Sequence, residues 1–195
     1  MIDSLLNHSE KAEKKNIHER FEIEKSEYAL VTMHRPSNVD YEEVLSGIID
    51  ALEVISENIP IIFPVHPRTT KKISEFGLEN RINHNSNFVM KEPLGYLDFV
   101  ALMKHAKVVV TDSGGLQEET TALGIPCITL RENTERPITV EEGTNTIVGN
   151  KTEKILDEWK NISLNGGKSG RIPELWDGKT AIRISDILVD FLKEN

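Results

Sequence analysis

The chain has 195 residues, 38% of them hydrophobic, and a formal net charge of −9. That length supports one good core, and the acidic balance excludes non-specific nucleic-acid binding, which needs a basic face. No apolar run approaches the ~20 residues that span a bilayer, and a single cysteine excludes an internal disulfide or a Cys-rich metal site.

Residues 1–26 are highly charged, with few apolar positions, and read as a helix or a connector. Their opening, Met-Ile-Asp-Ser-Leu-Leu-Asn-His, lacks the layout of a signal peptide, so a cytoplasmic protein is the expectation. A regular alternation then begins. Tyr28 to Met33 is an apolar strand. Asp40 is placed to cap a helix, with Glu43 at the capping-box position. That helix carries Val44, Leu45, Ile48, Ile49, Leu52 and Ile55 on one face. Ile61–Val65 and Phe88–Met90 read as strands, Tyr96 to His105 as a helix, and Val108–Thr111 as a strand. A helix follows Gly115 and runs to Leu123, where Gly124 stops it. Ile125–Leu130 and Thr146–Val148 are the last strands. Cys127, inside the first of these, reads as a small core residue. Helices at Thr152–Lys160 and Thr180–Lys193 close the chain. The last carries Ile184, Ile187, Leu188, Phe191 and Leu192 on one stripe, wide for an end helix, which predicts an exposed apolar patch or self-association.

Strands alternating with helices predict βαβ units and a doubly wound parallel sheet of the Rossmann-like kind. Ligands in such sheets bind outside the carboxyl ends of the strands. The polar clusters fall at those ends: His34-Arg35, His66-Pro67-Arg68, Ser113-Gly114-Gly115, and Arg131 to Arg136. The most informative stretch is Thr111-Asp-Ser-Gly-Gly-Leu-Gln-Glu-Glu119, where a buried strand runs through a Gly-Gly turn into a helix. Glycine lets a ligand approach the backbone, and the unpaired N–H groups and dipole of a helix start favour phosphate. Glu119, further along that helix and expected to be partly buried, has a carboxylate suited to sugar hydroxyls. The pattern predicts a nucleotide or nucleotide-sugar binder. Asn165 to Gly170 contains Gly-Lys-Ser but lacks the spacing and the preceding strand of a P-loop.

Five motifs occur in order: Thr32-Met-His-Arg-Pro-Ser-Asn-Val39, Pro64-Val-His-Pro67, Glu92-Pro-Leu-Gly-Tyr-Leu-Asp-Phe99, Thr111 to Glu119, and Arg131-Glu-Asn-Thr-Glu-Arg-Pro137. From Glu27 to Asn195 the chain resembles the C-terminal half of the non-hydrolysing UDP-N-acetylglucosamine 2-epimerases. The resemblance implies one half of a GT-B-type two-domain enzyme with UDP in the cleft, residues 27–195 being the UDP-binding domain. It implies that Ser113, Gly114 and Gly115 bind the diphosphate and that Glu119 binds the ribose. Phe99 would pack on the uracil, with backbone near Leu94 reading its edge. Arg136 would support the leaving UDP, and His34 would lie near the diphosphate and the reacting sugar. Arg35 and His66 would serve a hinge or regulatory contact. The family's chemistry eliminates UDP to 2-acetamidoglucal and re-adds it with C2 inverted, with no metal or redox cofactor. The implied partners are UDP, a UDP-N-acetylhexosamine, and further copies of the chain in a homo-oligomer.

The sequence also departs from the family. Many bacterial members read His-Arg-Arg-Glu-Asn where this chain has His34-Arg35-Pro36-Ser37-Asn38, which withdraws support for a regulatory second UDP-sugar site. The family's N-terminal domain, source of most acid/base carboxylates, is not in these 195 residues, and residues 1–26 resemble the connector that would follow it. Two other readings share the nucleotide site: the nucleotide-binding domain of a GT-B glycosyltransferase, and a non-catalytic UDP-sugar-binding module.

Overall fold

The computed structural model describes residues 1–24 and 27–194; Lys25 and Ser26, at the expected boundary between connector and domain, and Asn195 lie outside the described residues. Six strands form one sheet: β1 (Ala29–Thr32), β2 (Ile61–Pro64), β3 (Phe88–Lys91), β4 (Val108–Thr111), β5 (Cys127–Thr129) and β6 (Asn145–Ile147). Every pairing is parallel, in the order β3-β2-β1-β4-β5-β6. This is the doubly wound Rossmann order, and it confirms the expected fold class. The chain reverses direction across the sheet between β1 and β4, where Ala29 pairs with Val108 and Thr32 with Thr111.

Strand alternation divides the apolar side chains between two faces. Ala29, Val31, Ile61, Phe63, Val108 and Val110 face one core with α4 (Glu42–Ser56) and α10 (Thr152–Asn165). Leu30, Ile62 and Val109 face the other, with α1 (Ile2–Glu13), α7 (Tyr96–Met103) and α8 (Gly114–Leu123). On α4 the predicted stripe is fully buried at Leu45, Ile48, Ile49, Leu52 and Ile55. Each such side chain contributes about 1.5–3 kcal/mol over its exposed state. Cys127 is buried in β5, where desolvation pushes its thiol up to about 11, as suits a core residue rather than a nucleophile.

The N-terminal segment is helical over α1, and its few apolar positions suffice: Ile2, Leu5 and Ala12 are buried in the second core beside α7. Other expectations change. Asp40 does not cap α4; Tyr41 holds the N-cap position without a side-chain cap bond. Asp40 instead ends the short helix α3 (Pro36–Val39) and accepts from Arg68 Nε at 3.0 Å, a pairing that holds its carboxyl below the usual range. Five short helices were not foreseen: α2 (Ile17–Phe21), α3, α5 (Pro67–Glu75), α6 (Glu79–His84) and α9 (Pro137–Glu141). Three of them begin on Pro36, Pro67 or Pro137, residues that suit a first helical position. α10 runs to Asn165, beyond the expected Lys160, until Gly166 closes it at φ +80°.

α11 (Thr180–Glu194) matches its expected span. Its stripe is not covered: Ile187 is 68% and Leu192 74% exposed. No helix among the described residues is long and apolar enough to cross a membrane.

Candidate nucleotide site

The carboxyl ends of β1 and β4 lie side by side at the point where the sheet order reverses. β4 is followed directly by Asp112, fully buried. Its Oδ2 accepts the backbone N–H of His34 at 3.0 Å, that of Arg35 at 2.8 Å, and Asn38 Nδ2 at 3.1 Å. Arg35 Nε donates to the Asp112 carbonyl at 2.9 Å, and His34 Nδ1 lies 3.4 Å from Asp112 Oδ1. One carboxylate therefore fixes the whole turn after β1 against the turn after β4. The His34 ring also stands 5.2 Å from that of His66, which heads α5 and accepts the Arg68 N–H through Nδ1 at 3.1 Å. Two histidines 32 positions apart thus share one corner of the site.

Immediately beyond Asp112, Ser113 occupies the N-cap of α8, and Gly114 and Gly115 are its first two residues. The Ser113 side chain makes no cap bond; its N–H donates to Thr111 Oγ1 at 3.0 Å. The amides of the first turn therefore lack intrahelical acceptors. A Cβ at Gly114 would meet nothing nearer than 3.7 Å, and one at Gly115 would meet the side chain of Met1, with Sδ at 3.1 Å, and Ser113 Oγ at 3.8 Å. Neither glycine has a positive φ. Their lack of a side chain keeps their own residues from covering the first-turn amides and does not serve backbone conformation.

Glu119 lies on the same helix and is 5% exposed, more buried than expected. Its Oε1 accepts the Tyr96 hydroxyl at 3.0 Å. Burial pushes the Glu119 carboxyl above the ordinary glutamate range, aided by the charge of Glu118 and opposed by the Tyr96 bond and the amino terminus. Tyr96 opens α7 directly after Gly95. Leu94 lines a cavity of about 390 Å³ with Phe21, Pro93, Gly95 and Asp98. Phe99 is half-buried and packs with Leu94 on the second core.

Arg136 stands at the N-cap of α9, its Nε 3.1 Å from Glu118 Oε1. A buried polar chain fixes this loop to α8. Thr134 Oγ1 donates to Gln117 Oε1 at 2.5 Å and accepts the Arg136 N–H at 2.9 Å. Thr139 Oγ1 donates to the Arg136 carbonyl at 2.7 Å, and Asn145 Nδ2 donates to Thr139 Oγ1 at 3.0 Å. Arg131 grips Glu135 through two bonds of 2.7 Å, which bring that carboxyl down to about 2 and keep it ionised. Such a group holds charge and does not donate protons near neutral pH.

Ser113, Gly114, Gly115, Glu119, His34, Arg35, His66 and Arg136 thus lie along the carboxyl edge of the sheet, tied together by Asp112 and Gln117. Leu94 joins them through Tyr96, while Phe99 sits one turn into the core face. Asp112, Asn38, Tyr96 and Gln117 had no role in the sequence reading. For Asp112 a signal existed: a carboxylate immediately after the apolar strand Val108–Thr111 has to be buried and bonded. Among the described residues no cluster of His, Cys, Asp and Glu has the geometry of a metal site.

Sheet order and crossover place the chain in the Rossmann-like α/β class, the fold of one half of a GT-B-type enzyme. The chain belongs to the UDP-N-acetylglucosamine 2-epimerase family, whose model matches residues 1–189. It is 42% identical over 193 residues to the UDP-N-acetylglucosamine 2-epimerase of Methanocaldococcus jannaschii, covering 96% of this chain and 52% of that protein. A solved structure of the M. jannaschii enzyme in complex with UDP-GlcNAc and UDP matches with a TM-score of 0.80 at 39% identity, over 95% of this chain and 52% of that one. The E. coli ADP-heptose lps heptosyltransferase II shares the fold alone, with a TM-score of 0.55 and 15% identity over 79% of this chain and 52% of that one. The chain spans about half the length of the curated relatives it matches.

Proposed function

We propose that this chain is the UDP-binding half of a UDP-N-acetylglucosamine 2-epimerase that interconverts UDP-GlcNAc and UDP-ManNAc. The observation that carries the reading is the start of α8, where the first-turn amides after Ser113 lack intrahelical acceptors and Gly114 and Gly115 add no side chain, with the buried Glu119 on the same helix. The amides receive the diphosphate and Glu119 the ribose hydroxyls. Backbone near Leu94 reads the uracil edge, and Phe99 packs beneath the base. Arg136, held by the Gln117–Thr134 chain, supports the departing UDP, whose charge grows as the C1–O bond breaks; fixed donors stabilise such charge well. His34 lies beside the diphosphate and sugar, and Arg35 and His66 form the hinge or regulatory contact. Elimination removes a proton from C2 and UDP from C1, and re-addition returns both with C2 inverted. The sugar's oxidation state is unchanged, so no redox cofactor is consumed.

Titration by calorimetry with UDP, ADP and GDP tests the binding half of this reading. UDP is expected to bind tightest; equal affinities would remove the uracil pocket and leave a bare diphosphate site. Turnover is a separate readout. Proton removal and return on opposite faces need acid/base groups on both sides of the ring. His34, Arg136 and the amide face all stand on the nucleotide side. These 195 residues alone should therefore bind UDP yet incorporate no deuterium at C2, and activity should return when the other half of the enzyme is supplied in cis or trans. Exchange at C2 by the purified chain alone would overturn that division of labour.

The uncovered stripe of α11 gives a further expected result. An apolar face of this kind on a free chain drives association, so light scattering should show self-association. Replacing Ile187 and Leu192 together with Glu should return a monomer. A strictly monomeric unaltered chain would refute the role of α11 as a contact surface.

A further inference from the structure

The Tyr96–Glu119 pair joins two elements that the proposed site uses for different parts of the nucleotide. Tyr96 is the first residue of α7, directly after the Leu94–Gly95 segment beside the base cavity. Glu119 is on α8, downstream of the phosphate turn. Their bond, Tyr96 hydroxyl to Glu119 Oε1 at 3.0 Å, crosses 23 positions of sequence. The Tyr96 ring is steadied from the other side by α1, where the His8 ring meets it edge-on at 6.1 Å and 83°. Tyr96 is 43% exposed, so its ring stands at the mouth of the site, while the carboxylate it holds is 5% exposed.

We propose that Tyr96 is a positioning residue for ribose: its hydroxyl fixes the rotamer of Glu119 so that the remaining carboxylate lone pairs face the two ribose hydroxyls, and it thereby sets the preference for ribo- over 2′-deoxyribonucleotides. This rests on the assignment of Glu119 to the ribose under the proposed function. A carboxylate offers about four acceptor positions over its two oxygens. The phenol takes one, at Oε1, which leaves capacity for both hydroxyls of a ribose. Buried carboxylates need donors, and one fixed donor also selects an orientation. Without it the side chain is free to rotate, and the paired geometry that two neighbouring hydroxyls require is lost. A single hydroxyl, as in a 2′-deoxyribose, depends far less on that geometry. The bond also couples the base segment to the sugar, because Tyr96 moves with Gly95.

The test compares UDP with 2′-deoxy-UDP on the unaltered chain and on Tyr96→Phe, by calorimetry. The variant removes one oxygen from a partly exposed ring, and its thermal melt shows whether the fold is intact. The unaltered chain should prefer UDP over 2′-deoxy-UDP. In Tyr96→Phe the affinity for UDP should fall about three- to tenfold, the worth of one well-placed hydrogen bond, with a much smaller change for 2′-deoxy-UDP, so that the preference shrinks. An equal loss for both ligands would mean that Tyr96 only supports the fold, and would overturn the proposal. Tighter UDP binding in the variant would also overturn it, since the phenol would then be a competitor. If the unaltered chain binds neither ligand, or both equally, the assignment of Glu119 to ribose fails first and the proposal fails with it.

Discussion

Replacing Asp112 with Ala is expected to cost about 3–5 kcal/mol of folding stability, because three donors lose their acceptor in a fully buried place. The N–H groups of His34 and Arg35 would each carry a desolvation penalty with nothing in return, while the Asn38 amide would keep only its bond to the Leu130 carbonyl at 2.9 Å. Urea unfolding followed by circular dichroism measures the loss. Asp112→Asn keeps one acceptor oxygen and should lose distinctly less. If the Ala variant unfolds at the same denaturant concentration as the unaltered chain, the turn after β1 is held by other contacts. UDP affinity should drop in both variants, since His34 and Arg35 would no longer be fixed beside the phosphate turn.

The second large effect has opposite signs for stability and for binding. Glu119 is a buried carboxylate whose folded-state pKa is raised by desolvation. A group raised in this way contributes its stability below its unfolded pKa and loses it as pH rises through the folded one. Wherever Glu119 is ionised in the folded chain, its charge is therefore a burden on the fold. Glu119→Gln removes the charge and keeps an oxygen able to accept from Tyr96. It should raise the melting temperature at pH 7, with the gain shrinking as pH falls into the ordinary glutamate range. The same change should weaken UDP by about 1–3 kcal/mol, because a charged acceptor is lost from the ribose hydroxyls. The neighbouring charges that enter this titration are Glu118, the amino terminus and Tyr96. Because the side chain is buried, Glu119→Ala would mix a cavity with the lost charge, and Gln is the cleaner variant. Unchanged UDP affinity in a folded Gln variant would sink the ribose role.

Most of the sheet was legible because a parallel strand buried on both faces must be apolar almost throughout. Leu30, Ile62 and Val109 point one way and Val31, Phe63 and Val110 the other, and all are buried. The glycines at 114 and 115 were legible as well, since a helix start with two glycines has few other uses. Asp112 was visible within its motif, but its role depends on partners 74 to 78 positions earlier. No local pattern carries such a pairing. The same holds for Tyr96 with Glu119 and for Gln117 with Thr134: each residue alone resembles an ordinary helix or loop position. Asp40 misled for the converse reason. Its spacing from Glu43 satisfied a local rule, while Arg68 from another element took its carboxylate.

The buried chain from Gln117 through Thr134 to Arg136, anchored by Thr139 and Asn145, bears on the heat of binding. Loops that close over a nucleotide usually pay for their ordering when the ligand arrives. Here the backbone around Arg136 is already held, through its own N–H and carbonyl, by the side chains of Thr134 and Thr139. Under the proposed role of Arg136, only its guanidinium would exchange partners, giving up Glu118 and the Glu135 carbonyl for phosphate oxygens. Preorganisation of this sort lowers the entropic cost of association. The calorimetric signature on this side of the cleft should therefore be a modest entropy loss, with any large ordering term arising from elements beyond the Arg136 loop.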